Sequence, residues 1–174
     1  MAKALVIVDM QKDFVDGALG TQEAQEMLPH LVEKLKNLPA DTDLFFTQDT
    51  HGENYLETQE GKKLPVVHCI KKTLGWQIVP ELQDFTKNAK AVIEKKSFGS
   101  TRLPTLLKPY TEVEFVGLCT DICVISNALL LKAFYPEQPI AVDASCCAGV
   151  TPESHKNALA AMKMCQIEIR NEEL

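Results

Sequence analysis

Apolar residues along this chain gather into six short continuous runs, each predicting a β-strand buried on both faces. The runs are Ala4–Asp9, Leu44–Thr47, Ala91–Ile93, Val113–Leu118, Pro139–Asp143 and Ile167–Ile169. Between them the pattern turns helical. Met27, Leu28, Leu31, Val32, Leu35 and Leu38 form one stripe, in which Pro29 predicts either a kink or a helix start. Ala158, Ala161, Met162 and Cys165 mark a last long helix, opened by Thr151 as N-cap and Pro152 in its first turn. Shorter helical segments are predicted from Val79 and from Gly99 to Leu107, and another helix opens near Asp121 after a sharp turn. Strands alternating with helices predict an α/β fold. It is a three-layer, doubly wound, Rossmann-like sheet of parallel strands, with helices on both faces and right-handed crossovers.

Composition narrows the class. A length of 174 residues, with 45% hydrophobic and 24% charged, predicts one globular domain over residues 1–174. A net charge of -6 without a basic run argues against nucleic acid as a partner. No apolar run approaches the roughly 20 residues of a membrane span. The chain enters a strand at once, without a signal-peptide pattern. Together with six cysteines, this predicts free thiols in the cytoplasm.

Charged and nucleophilic residues recur where these strands end. Asp9 follows the first strand, Asp49 and His51 the second, Lys95 the third and Cys123 the fourth. In a parallel sheet those ends share one edge, so the four positions converge on a cleft. Cys123 sits at a helix start, where unpaired N–H groups and the helix dipole favour a thiolate and can hold an oxyanion. The competing reading is a buried small hydrophobe. Asp49 and His51 are spaced to share a metal ion, with His68 as a third ligand. Glu60 is the favoured fourth, with Glu53 and Glu57 as rivals in the same long acidic loop. Trp76 has no assignment, and His155 stays open between a structural and a functional role.

The segments ALVIVDMQKDF, TQDTH, LPVVHC, EKKSFGSTRL, GLCTDICV and VDASCCAGVTPESH cover nearly the whole chain. Together they resemble the isochorismatase-like cysteine hydrolases, whose best-known members are nicotinamidases. The resemblance implies a triad of Asp9 as base, Lys95 as electrostatic stabiliser and Cys123 as nucleophile, working through a thioester. Lys95 rather than Lys96 fits, because Phe98 stands three residues after it. The resemblance further implies an oxyanion hole from the backbone N–H groups of Cys119 and Cys123, and a non-proline cis peptide at Leu118–Cys119. A divalent metal, zinc in similar enzymes, would be held by Asp49, His51 and His68. Glu60 stands in for a further histidine that this chain lacks. Phe14 and Leu118 are expected to line the substrate pocket, and a homo-oligomer is expected. The implied reaction is hydrolysis of a small carboxamide, nicotinamide first, to nicotinate and ammonia. The alternatives are a metal-independent amidase or ureidohydrolase acting on another small amide, and a catalytically silent scaffold.

Overall fold

The computed structural model describes residues 2–172. Six strands are present: β1 (Lys3–Val8), β2 (Thr42–Asp49), β3 (Ala91–Lys95), β4 (Val113–Leu118), β5 (Ile140–Ala148) and β6 (Glu168–Arg170). They form a single sheet in the order β3-β2-β1-β4-β5-β6, and every neighbouring pair is parallel. The chain leaves β1 toward one edge of the sheet, then returns through β4 to build the other. The crevice between the carboxyl ends of β1 and β4 is therefore the switch point where such sheets bind ligands.

Helices cover both faces. On one side α1 (Lys12–Val15), α2 (Gln22–Lys36) and α4 (Pro80–Thr86) bury Phe14, Leu31 and Leu82 against Leu5, Ile7 and Phe46. On the other, α5 (Leu103–Leu107), α6 (Ile125–Phe134) and α7 (Pro152–Met164) bury Leu107, Leu131 and Met162 against Val6, Phe115 and Val142. The alternation of β4 divides its side chains cleanly. Val113 and Phe115 enter one core, Val116 and Leu118 the other. Thr21 caps α2, its hydroxyl accepting from Ala24 N at 3.0 Å. The helix thus begins at Gln22 and carries Pro29 in its interior, rather than starting at the proline.

The fifth strand is longer than its apolar run. It continues past Asp143 through Ser145, Cys146 and Cys147, pairing Cys147 with Gly117 across a register shift in β4. Small and polar residues hid this extension. Asp143 consequently lies within the strand and not at its carboxyl end. Its carboxylate binds Lys34 Nζ at 2.7 Å and the Ser145 hydroxyl at 2.7 Å.

Gly117 is dictated by close approach. Its φ is +114°, and a Cβ there would lie 2.2 Å from the Val8 carbonyl oxygen. Gly117→Ala is therefore expected to cost at least about 2 kcal/mol, seen as a lowered urea midpoint. An unchanged midpoint would show that β1 and β4 can separate at this point without penalty.

Candidate active site

Each side chain of the site is delivered by the end of a different element. Asp9 follows β1 with φ of +47°, a left-handed conformation that Asp tolerates better than most residues. Lys95 ends β3. Cys123 lies in a π-helical turn, Thr120–Val124, between β4 and α6. The three meet in the crevice: Lys95 Nζ is 2.6 Å from Asp9 Oδ2 and 3.4 Å from Cys123 Sγ. The Thr47 hydroxyl donates to Asp9 Oδ1 at 2.7 Å, fixing the carboxylate. Asn127 secures the lysine segment to the Cys123 turn. Its Oδ1 accepts from Ser100 N at 2.8 Å, and its Nδ2 donates to the Cys123 carbonyl at 2.8 Å.

Electrostatics set the charge states. Burial would lower Lys95, but the charges of Asp9, Cys123 and Asp49 outweigh it and hold the ammonium protonated far above neutrality. Burial pushes Asp9 up, against the pull of Lys95, so its carboxylate is more basic than an exposed one. The Cys123 thiol is held well above its ordinary value by burial and then by the Asp9 charge, with Lys95 opposing. Burial and the Asp9 charge thus oppose the thiolate that a helix start favours, while the Lys95 ammonium beside the sulfur supports it.

The turn preceding Cys123 presents backbone donors. The peptide bond Leu118–Cys119 is cis, and the Cys119 carbonyl accepts the N–H groups of Ile122 and Val124, both at 3.1 Å. Among the described residues, neither the Cys119 nor the Cys123 N–H has a backbone acceptor outside the turn itself. Thr120, wholly buried, places its hydroxyl 2.7 Å from His155 Nδ1, which gives His155 a structural link to this turn.

A second cluster adjoins the first. One ligand atom each from Asp49, His51, Glu60 and His68 lie within 4.8 Å of one another. His51 Nε2 is 3.0 Å from Asp49 Oδ2 and 3.6 Å from Glu60 Oε1, and His68 Nε2 is 3.6 Å from both carboxylates. Four ligands about 2.0–2.1 Å from a tetrahedral zinc would be roughly 3.3 Å apart, so the set has the right size. Its chemistry fits as well. His68 Nδ1 donates to the Val66 carbonyl at 2.7 Å, which turns an Nε2 lone pair toward the carboxylates. A cation between them would satisfy all four groups. Glu53 and Glu57 are exposed and stand outside the cluster. Glu60 is brought in by α3 (Gln59–Lys63), capped by Thr58, and by Gly61, which lies flush against the Tyr55 carbonyl. Asp49 joins the two clusters, since its other oxygen is 3.6 Å from Lys95 Nζ.

Removing one ligand tests the cluster. Glu60→Ala is expected to keep the fold and weaken zinc affinity at least about tenfold in a chelator competition. Equal affinity in the variant would exclude Glu60 as a ligand.

A cavity of about 220 Å³ opens over both clusters, reached by Asp49, Glu60, His68, Cys119 and Cys123. Phe14 lines it. Leu118 does not. It is 1% exposed and packs in the core beneath, because strand alternation points its side chain away from the crevice. Sequence reasoning also passed over the supports. Gln11 is fully buried, accepts from Asp49 N at 2.7 Å and donates to the Asp49 and Trp76 carbonyls at 2.8 and 2.9 Å. Trp76 in turn donates to the Thr50 hydroxyl at 2.9 Å. Tyr55 is wedged behind the histidines, with ring centroids 4.8 Å from His51 and 4.9 Å from His68, and its hydroxyl donates to the Leu64 carbonyl at 2.8 Å. A tyrosine in a polar loop gives no periodic signal, so only the fold reveals it.

Comparison with known proteins agrees with this architecture. Residues 3–173 match the model of the isochorismatase domain. The nicotinamidase of Schizosaccharomyces pombe is 26% identical over 207 aligned residues, spanning 97% of this chain and 93% of that protein. The pyrazinamidase of Pyrococcus horikoshii, solved in complex with zinc, superposes with a TM-score of 0.83 at 27% identity, covering 97% of this chain and 98% of that one. The nicotinamidase PncA of Bacillus subtilis superposes with a TM-score of 0.80 at 25% identity, covering 98% and 100%.

Proposed function

The chain belongs to the isochorismatase family, and on that premise we propose that it is a cysteine-nucleophile amidohydrolase. Its reaction is hydrolysis of a small carboxamide, nicotinamide first, to the acid and ammonia. The observation that carries this reading is the contact of Lys95 with both Asp9 and Cys123 in a crevice that continues into the Asp49, His51, Glu60 and His68 cluster.

The Asp9 carboxylate takes the thiol proton as Cys123 Sγ bonds to the amide carbonyl carbon. The carbonyl oxygen becomes an oxyanion, held by the N–H groups of Cys119 and Cys123. When the C–N bond breaks, Asp9 returns the proton to the departing nitrogen, which leaves as ammonia. Water then attacks the thioester, Asp9 accepts its proton, and the acid departs as the thiol is restored. Lys95 stays cationic throughout and offsets the charge on sulfur and on Asp9. A divalent metal bound by Asp49, His51, Glu60 and His68, zinc in this reading, would supply a Lewis-acid anchor for a pyridine nitrogen. Those four residues orient the ring; the covalent steps belong to the triad.

Ammonia release from nicotinamide, measured with and without added zinc, tests the reading. Turnover that rises with zinc is expected. Absence of release from nicotinamide under both conditions, with Cys123 still alkylated selectively, would discard that substrate.

A further inference from the structure

The cavity changes character from floor to mouth. At the floor lie His68, Asp49 and Cys123, all buried. The walls above are Phe14, Leu19 and Ile122, and the mouth is framed by Leu64, Phe98 and Val150, which are 38%, 46% and 51% exposed. Among the described residues, the charged side chains lining it are Asp49 and Glu60, both part of the candidate metal cluster. No Lys or Arg is among the lining residues. Lys95 is buried behind the floor and bonded to Asp9. Above the floor, among the described residues, Thr21 is the one hydroxyl of the wall; its oxygen accepts the Ala24 N–H as the cap of α2.

A substrate bound with its amide at Cys123 therefore has an apolar wall beside the rest of its body, and that wall reaches solvent. A bare six-membered ring held at the metal leaves the mouth residues uncovered. An alkyl group on the ring would cover them and be removed from water itself, at about a fourfold gain in binding per methylene. A carboxylate or phosphate in the same place would lose its hydration and meet no cation.

We propose that this site selects carboxamides carrying an uncharged apolar substituent that extends from the ring to Leu64, Phe98 and Val150, with Leu64 and Val150 as specificity-determining residues. The inference rests on the amidohydrolase reading above and deepens it.

The test compares kcat/KM for nicotinamide, for nicotinamides bearing methyl, ethyl or propyl at ring carbon 5 or 6, and for the corresponding ring carboxylates, using zinc-loaded protein. One alkyl series is expected to exceed nicotinamide by at least about threefold and to rise with chain length, while the carboxylates are turned over least. In Leu64→Ser and Val150→Ser the ratio of alkylated to bare substrate is expected to fall toward one. Turnover of bare nicotinamide with no alkyl preference overturns this inference and leaves the amidohydrolase reading standing. So does a preference that both variants retain, or a carboxylate hydrolysed as well as its alkyl counterpart. Turnover of no compound in the panel overturns both.

Discussion

Cys123→Ala is expected to lower turnover at least about 10⁴-fold. No other thiol can take its place. Cys119 is nearby, but burial pushes its thiol up to about 12, and Lys95 contacts the sulfur of Cys123. The structural cost is small. The substitution deletes one sulfur from a buried position, costing on the order of 1 kcal/mol, and the Asp9–Lys95 pair at 2.6 Å does not depend on it. Ammonia release under substrate saturation, with a thermal melt on the same sample, separates the two effects. A well-folded variant retaining a tenth of the activity would remove Cys123 from the reaction.

Asp9→Asn is expected to move two measurable rates in opposite directions. Turnover falls by about 10²–10⁴-fold, the usual worth of a positioned general base. Alkylation of Cys123 by iodoacetamide at neutral pH becomes faster. The sign follows from the causes acting on the thiol. Burial raises it and so does the Asp9 charge, while Lys95 lowers it. Asparagine removes the Asp9 charge and leaves Lys95 opposed by burial and by the weaker influence of Asp49, so more thiolate is present at a given pH. Asparagine also tolerates the left-handed backbone at φ +47°, which alanine would strain. The comparison therefore isolates the charge. Slower alkylation in the variant would show that the carboxylate does not hold the proton on sulfur.

The sheet and most of the candidate site were legible because burial on both faces writes itself as unbroken apolar runs. Asp9, Asp49, His51, Lys95 and Cys123 stood out as polar residues directly following such runs, and the sheet places all of them on one edge. The part that stayed hidden has no periodicity. Asp143 looked like a strand end because Ser145, Cys146 and Cys147 interrupt the apolar pattern, though the strand continues to Ala148 across a register shift. Leu118, a candidate pocket residue in the sequence, lies in the core; which face a strand residue takes is settled only when register and neighbours are known. The surroundings of the Cys123 thiol are hidden for a similar reason. A helix start is visible in a sequence, but complete burial beside a carboxylate is not.

The order of the strands also bears on how the protein is made. β1 takes β2 as its neighbour on one side, supplied by the next segment of chain, and β4 on the other, with Ala4 opposite Val113. A ribosome at roughly 5–20 residues per second therefore exposes β1 for several seconds with one edge unpaired. That edge belongs to a strand buried on both faces in the finished sheet, which is the kind of surface that pairs with other nascent chains. The crevice that brings Asp9 beside Cys123 closes in the same event that covers the edge. Catalytic competence and protection from aggregation thus arrive together, when the middle of the chain is already synthesised and its first strand has waited longest.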